Sequence, residues 1–62
     1  MDFSTMTKEE ALEYCYQHEK EFKADAYYAE ENGERLFYSL IAILECGAIQ
    51  PKDLPEYGMN YD

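Results

Sequence analysis

The run Leu36-Phe37-Tyr38-Ser39-Leu40-Ile41-Ala42-Ile43-Leu44 constrains this chain most, because it is the one long apolar stretch available to nucleate a core. On a 3.6-residue period Leu36, Leu40, Ile43 and Leu44 gather on one side, with Phe37 and Ile41 widening that face. Tyr38, Ala42 and Glu45 fall opposite. As a strand, the contiguous apolar residues from Leu40 to Leu44 would be buried on both faces. That requires neighbouring strands, and the rest of the chain offers none. The run is read as a helix.

A chain of 62 residues forms one domain, spanning residues 1–62. At this size folding buries only about 60% of the extended surface, so the core is small and self-association is an expected way to complete it. With 47% hydrophobic and 16% aromatic residues the chain is too apolar for a disordered acidic tail. The formal net charge of −9, from 14 acidic and 5 basic residues, opposes direct binding to nucleic acid or to an anionic membrane. It favours a basic protein surface as partner. The bland alternative is that the charge only keeps a small protein soluble.

No charged segment followed by an apolar one marks a secretory signal. The apolar run is also far short of the roughly 20 residues that span a bilayer. A cytoplasmic location is expected, with Cys15 and Cys46 as free thiols buried like small hydrophobes.

Residues 1–6 read as a short lead-in. Thr7-Lys8-Glu9-Glu10 has the form of a capping box, in which Thr7 caps the first orphan amides and Glu10 reaches back to the Thr7 N–H. Helix 1 is predicted from about residue 8 to residue 31, either continuous or bent near Lys23-Ala24-Asp25. Its apolar face carries Ala11, Cys15, Phe22, Ala26 and Ala29, with Leu12 and Tyr16 as flanks. Glu19 and Lys23 form a favourable i,i+4 pair.

Asn32-Gly33 is the turn signal between the helices, with Gly33 as a left-handed terminator or Asn32 as the next cap. A β-hairpin at this turn is the competing reading, because its flanks hold aromatics. Helix 2 is predicted over residues 34–46, and Gly47 ends it in the left-handed conformation. Ile49 then folds back on the last turn. Pro51 and Pro55 make the remaining tail, 47–62, irregular, with at most a single turn from Pro51 to Leu54. The expected fold is all-α: a small antiparallel helical hairpin with a C-terminal, proline-containing strap, completed by dimerisation.

Little in the chain points to catalysis or to a cofactor. His18 is the lone histidine, and only Cys15, three residues away, stands where it could serve as a nucleophile. Cys15, His18 and Cys46 make at best a three-ligand set, where structural zinc wants four at short spacings. The carboxylates Glu9, Glu10, Glu13, Glu30, Glu31 and Glu34 lack a calcium-loop pattern and read as solvated helix surface. No enzyme activity, metal or cofactor is expected.

Seven tyrosines without a tryptophan are the unusual feature. Tyr16 is assigned to the core, while Tyr14 and Tyr38 point away from their apolar faces. Tyrosine supplies rigid area and a hydroxyl at small entropic cost, so tyrosines interleaved with carboxylates make a protein-binding surface. The predicted partner-binding residues are Tyr14, Glu21, Asp25, Tyr28, Glu31 and Glu34. The expected function is a non-enzymatic acidic module that regulates or inhibits a partner with a basic surface. In size and charge alone the chain also resembles small anti-restriction and anti-CRISPR inhibitors, which implies a nucleic-acid mimic. A small structural subunit is the third reading.

Overall fold

The computed structural model describes residues 2–25 and 33–61, and among them every regular element is helical. A 3-10 turn at Phe3–Thr5 precedes α1 (Lys8–Gln17), α2 (Glu19–Asp25) and α3 (Gly33–Glu45), and a C-terminal 3-10 helix covers Pro51–Tyr57. The expected Asn32 cap and the stretch of helix 1 beyond Asp25 lie outside the described residues.

α1 begins as its sequence dictates. The Glu10 amide donates to Thr7 Oγ1 at 3.1 Å, and the Thr7 amide donates to Glu10 Oε1 at 2.9 Å. Two of the amides that a helix start leaves unpaired are thereby satisfied. The division between α1 and α2 falls at His18, ahead of the Lys23–Asp25 bend considered from sequence. His18 has φ −109° and ψ 18°, and its amide is shared between the Tyr14 and Cys15 carbonyls at 3.2 and 3.1 Å. Its own carbonyl accepts from the Phe22 amide at 2.9 Å, so the next helix starts at once.

The buried face of α3 is Phe37, Leu40, Ile41 and Leu44, while Tyr38, Ala42 and Glu45 are exposed. Leu36, expected in the core, is 44% exposed. The apolar arc of this helix is so wide that periodicity alone leaves its centre undetermined. Packing turns it toward Phe37, whose ring meets Tyr16 and Phe22 at centroid distances of 5.6 and 6.0 Å.

Gly47 ends α3 at φ +83°, as expected. The Ala48 amide donates to the Ile43 carbonyl at 2.9 Å and the Gly47 amide to Leu44 at 3.3 Å, the paired bonds of a Schellman motif. Lys8 Nζ donates to the Glu45 carbonyl at 3.0 Å, so the start of α1 supplies a cation to the negative end of α3. Gly33 is different from expectation. It is the first residue of α3 and is not among the glycines with positive φ. A Cβ there would lie 3.1 Å from the Lys23 carbonyl oxygen, so glycine serves close approach of the α2 backbone.

Both ends of the chain enter the core, which corrects the reading of a bare lead-in and an irregular tail. Phe3, Leu54 and Met59 are buried in one cluster with Ala11, Tyr14, Cys15 and the α3 residues. Leu54 and Met59 are fully buried, each contributing about 2 kcal/mol of apolar burial. Pro51 opens the C-terminal 3-10 helix, where the Gln50 amide donates to Asp53 Oδ2 at 3.0 Å. Gly58, at φ +87°, closes it: its amide bonds the Pro55 carbonyl, and the Met59 amide bonds Leu54 at 3.1 Å. This second Schellman motif directs Met59 inward.

Two tyrosine assignments are reversed. Tyr14 is 3% exposed and Tyr16 is 49% exposed. Phe3 packs edge-on against Tyr14 at 5.3 Å and 89°, a contact that needs the N-terminal turn to be folded.

Candidate functional site

Along α3, Leu36, Ser39, Leu40 and Ile43 recur at i, i+3, i+4 and i+7, forming one wall of an open groove. Phe22 and Asp25 of α2 form the second wall, and Tyr57, Gly58 and Tyr61 of the C-terminal segment form the third. The groove measures about 410 Å³, within the range of clefts that hold a small ligand or a few side chains. Leu36 and Tyr57 stand 44% and 46% exposed at its mouth. Gly58 leaves it open on one side, since a Cβ there would lie 3.6 Å from Phe22 Cε2.

Tyr61 sets the polar edge of the groove. Its amide donates to the Tyr14 hydroxyl at 2.8 Å, and its own hydroxyl donates to Asp25 Oδ2 at 2.9 Å. Its ring stacks on His18 at 5.0 Å and 14°. The other neighbour of His18 is Tyr14, at 4.6 Å, and His18 Nδ1 lies 2.6 Å from Glu21 Oε1. Burial, then the hydrogen bond to Asp25 and the charges of Asp25 and Glu21, hold the Tyr61 phenol well above its ordinary range. It is a hydrogen-bond donor at neutral pH.

Of the six residues predicted from sequence, Tyr14, Glu21 and Asp25 are gathered around Tyr61 and His18. Tyr14 is there as a buried support, which corrects its assignment to the outer surface. Its burial follows from the stripe Ala11, Tyr14, Cys15 and His18, at i, i+3, i+4 and i+7, which is covered by the two chain ends. Glu34 is exposed in the first turn of α3, where its charge acts on Lys23. Tyr28 and Glu31 lie outside the described residues. Sequence reasoning missed Phe22, Leu36, Tyr57 and Tyr61 as site residues. The spacing of Leu36, Leu40 and Ile43 is visible in the sequence, where it reads as core together with a surplus of apolar surface for self-association, and no groove is assigned to it.

A second exposed aromatic face carries Tyr16 and Tyr38. Lys23 Nζ sits 5.1 Å from the Tyr38 ring centroid and 5.5 Å from that of Phe37, while it is paired with Glu19. The hydrogen bond from Lys23 to Glu19 raises the lysine pKa. This cation is thus engaged within the chain.

Cys15 is fully buried, and burial pushes its thiol up to about 11, so it is protonated and shielded at neutral pH. Cys46 is exposed, which corrects its assignment to the interior. The sequence-level trio of Cys15, His18 and Cys46 is not assembled as a metal-ligand cluster among the described residues. Among those residues no helix is long and apolar enough to cross a membrane. Comparison of the chain with protein-family models, with curated proteins and with solved structures gives no match.

Proposed function

We propose that this chain is a non-enzymatic, acidic protein-binding module that regulates or inhibits a partner through that partner's basic surface. The observation that carries this reading is an apolar groove bordered by Asp25 in a chain of net charge −9. Apolar area supplies affinity, and the surrounding charge steers association and rejects acidic competitors. In this reading α1–α2 and α3 form an antiparallel hairpin, and the Pro51–Tyr61 segment is the strap that walls its groove.

The groove also ranks this reading above the nucleic-acid mimic. A mimic's hold on a basic cleft is led by charge and collapses in salt. A groove-led contact keeps part of its affinity there. Self-association is expected from the small core of a chain this short, and the core contacts narrow that ground. Ile41 is 5% exposed, and Phe3, Leu54 and Met59 share its cluster. Among the described residues, the large exposed side chains left for a dimer contact are Leu36 and Tyr57 at the groove and Tyr16 and Tyr38 elsewhere.

The test is capture of a direct partner followed by binding kinetics at two salt concentrations. Glu21→Lys and Asp25→Lys should slow association and flatten its salt dependence, with a smaller effect on dissociation. Association that ignores both salt and charge reversal would overturn the reading. Affinity lost entirely at moderate salt would instead favour the mimic.

A further inference from the structure

We infer that the groove receives a short basic segment of a protein partner, with one aliphatic or aromatic side chain between Leu36, Ile43 and Tyr57 and an arginine on Asp25. This inference rests on the protein-binding reading and names the occupant of that site.

The apolar half of the argument is dimensional. The stripe from Leu36 to Ile43 runs seven residues along α3, roughly 10 Å at 1.5 Å per residue. That length and a volume of about 410 Å³ suit one or two side chains, not a flat protein face. Leu36 and Tyr57 are each nearly half exposed, so an entering side chain removes apolar area from water on both sides at once.

The basic half follows from charge. Among the described residues, Asp25 is the one carboxylate in the groove lining, and the Tyr61 hydroxyl donates to its Oδ2 at 2.9 Å. A carboxylate held in this way at an apolar edge is a fitting acceptor for a guanidinium, whose planar fork matches it and whose hydration is weak. Glu21, one helical turn before Asp25, adds negative potential on the same approach. Charge also argues against a second copy of the chain. A symmetric contact through this groove would bring two Asp25 rims, and two chains of charge −9, against each other.

The experiment uses the full chain, isotopically labelled, and two synthetic peptides. One has a central leucine flanked on both sides by arginines, and the other replaces each arginine by glutamate. The arginine peptide should shift the amide resonances of Leu36, Ser39, Ile43 and Tyr57 saturably, and the glutamate peptide should bind at least about tenfold more weakly. Leu36→Glu should abolish the shifts without lowering the melting temperature, since that side chain is largely outside the core. Asp25→Asn should erase most of the preference for arginine while keeping a weak response to leucine.

Several results overturn the inference: no shift at millimolar peptide, equal binding of the two peptides, or shifts centred on Tyr16 and Tyr38. So would groove shifts that grow with protein concentration alone, which would mark a second copy as occupant. Nuclear Overhauser contacts from Tyr27 or Tyr28 into the groove of the free protein would show it filled from within, with the same consequence. A charge-steered partner that leaves the groove resonances unmoved removes this inference and keeps the protein-binding reading.

Discussion

The Tyr61 amide donates to the Tyr14 hydroxyl across 2.8 Å, joining residues 47 apart in sequence. The phenol of a core residue in α1 thus holds the segment after the C-terminal 3-10 helix, and the same Tyr61 borders the groove. Tyr14→Phe keeps the ring against Phe3 and His18 and deletes only the acceptor. It should cost about 1–2 kcal/mol, the penalty for a partly buried amide left unpaired. Urea titration measures this, and a loss below about 0.3 kcal/mol would mean that water replaces the hydroxyl freely.

Leu36 and Ile41 should separate folding from binding. Ile41→Glu places a charge in the core and should unfold the chain, because the site is 5% exposed. Leu36→Glu should leave the helical circular dichroism and the melting temperature nearly unchanged. Equal destabilisation by the two would show that the Leu36 side of α3 is covered in solution.

Alkaline stability is set in part by Cys15. Its thiol is raised from 9.0 to about 11 by burial, so the unfolded chain gives up that proton first as pH rises. The stabilisation is complete below pH 9 and is lost progressively toward pH 11. Tyr61, raised from 10.0, acts in the same direction, beginning about one pH unit higher. Melting temperatures across pH 8 to 11 should fall less steeply for Cys15→Ala than for the parent, whatever the offset from the lost side-chain volume. Parallel curves would refute the assignment.

The two cysteines should differ in reactivity. Iodoacetamide should alkylate exposed Cys46 at the rate of a free thiol under native conditions. Cys15 should react only as fast as the fold opens, and denaturant should bring the two rates together. Mass spectrometry after timed quenching reads both. Rapid native labelling of Cys15 would place it in an open region.

Glycine substitutions distinguish two reasons for glycine. Gly47→Ala and Gly58→Ala meet no close side-chain obstacle, yet each holds φ near +85°, so each should cost about 1 kcal/mol from backbone strain alone. Gly33→Val should cost about 2 kcal/mol for another reason, since its Cβ would press on the Lys23 carbonyl. Thermal denaturation of the three variants tests the distinction.

What could be read from the sequence was local. The Thr7–Glu10 capping box and the Gly47 stop rest on bonds between residues no more than five apart, and both are present. The position of Tyr14 was not readable, because it depends on Phe3 and Tyr61, which come from opposite ends of the chain. The prolines at 51 and 55 allow at most a single turn on local grounds, yet a 3-10 helix over Pro51–Tyr57 accommodates both. The groove was hidden for a related reason. Its α3 wall looked like core, and only the actual rotation of the helix leaves Leu36 outside.

The burial of Met59 and the tethering of Tyr61 carry a consequence for how the chain is made. A ribosome delivers residues from the N-terminus and conceals the most recent ones in its exit tunnel. While Leu54, Met59 and Tyr61 are still inside, the emerged α1 and α3 expose Tyr14, Phe37 and Leu44 to water. Closure has to wait until these residues emerge, so the nascent chain passes through a stage with an open apolar face, and its high acidity keeps such intermediates apart in the meantime.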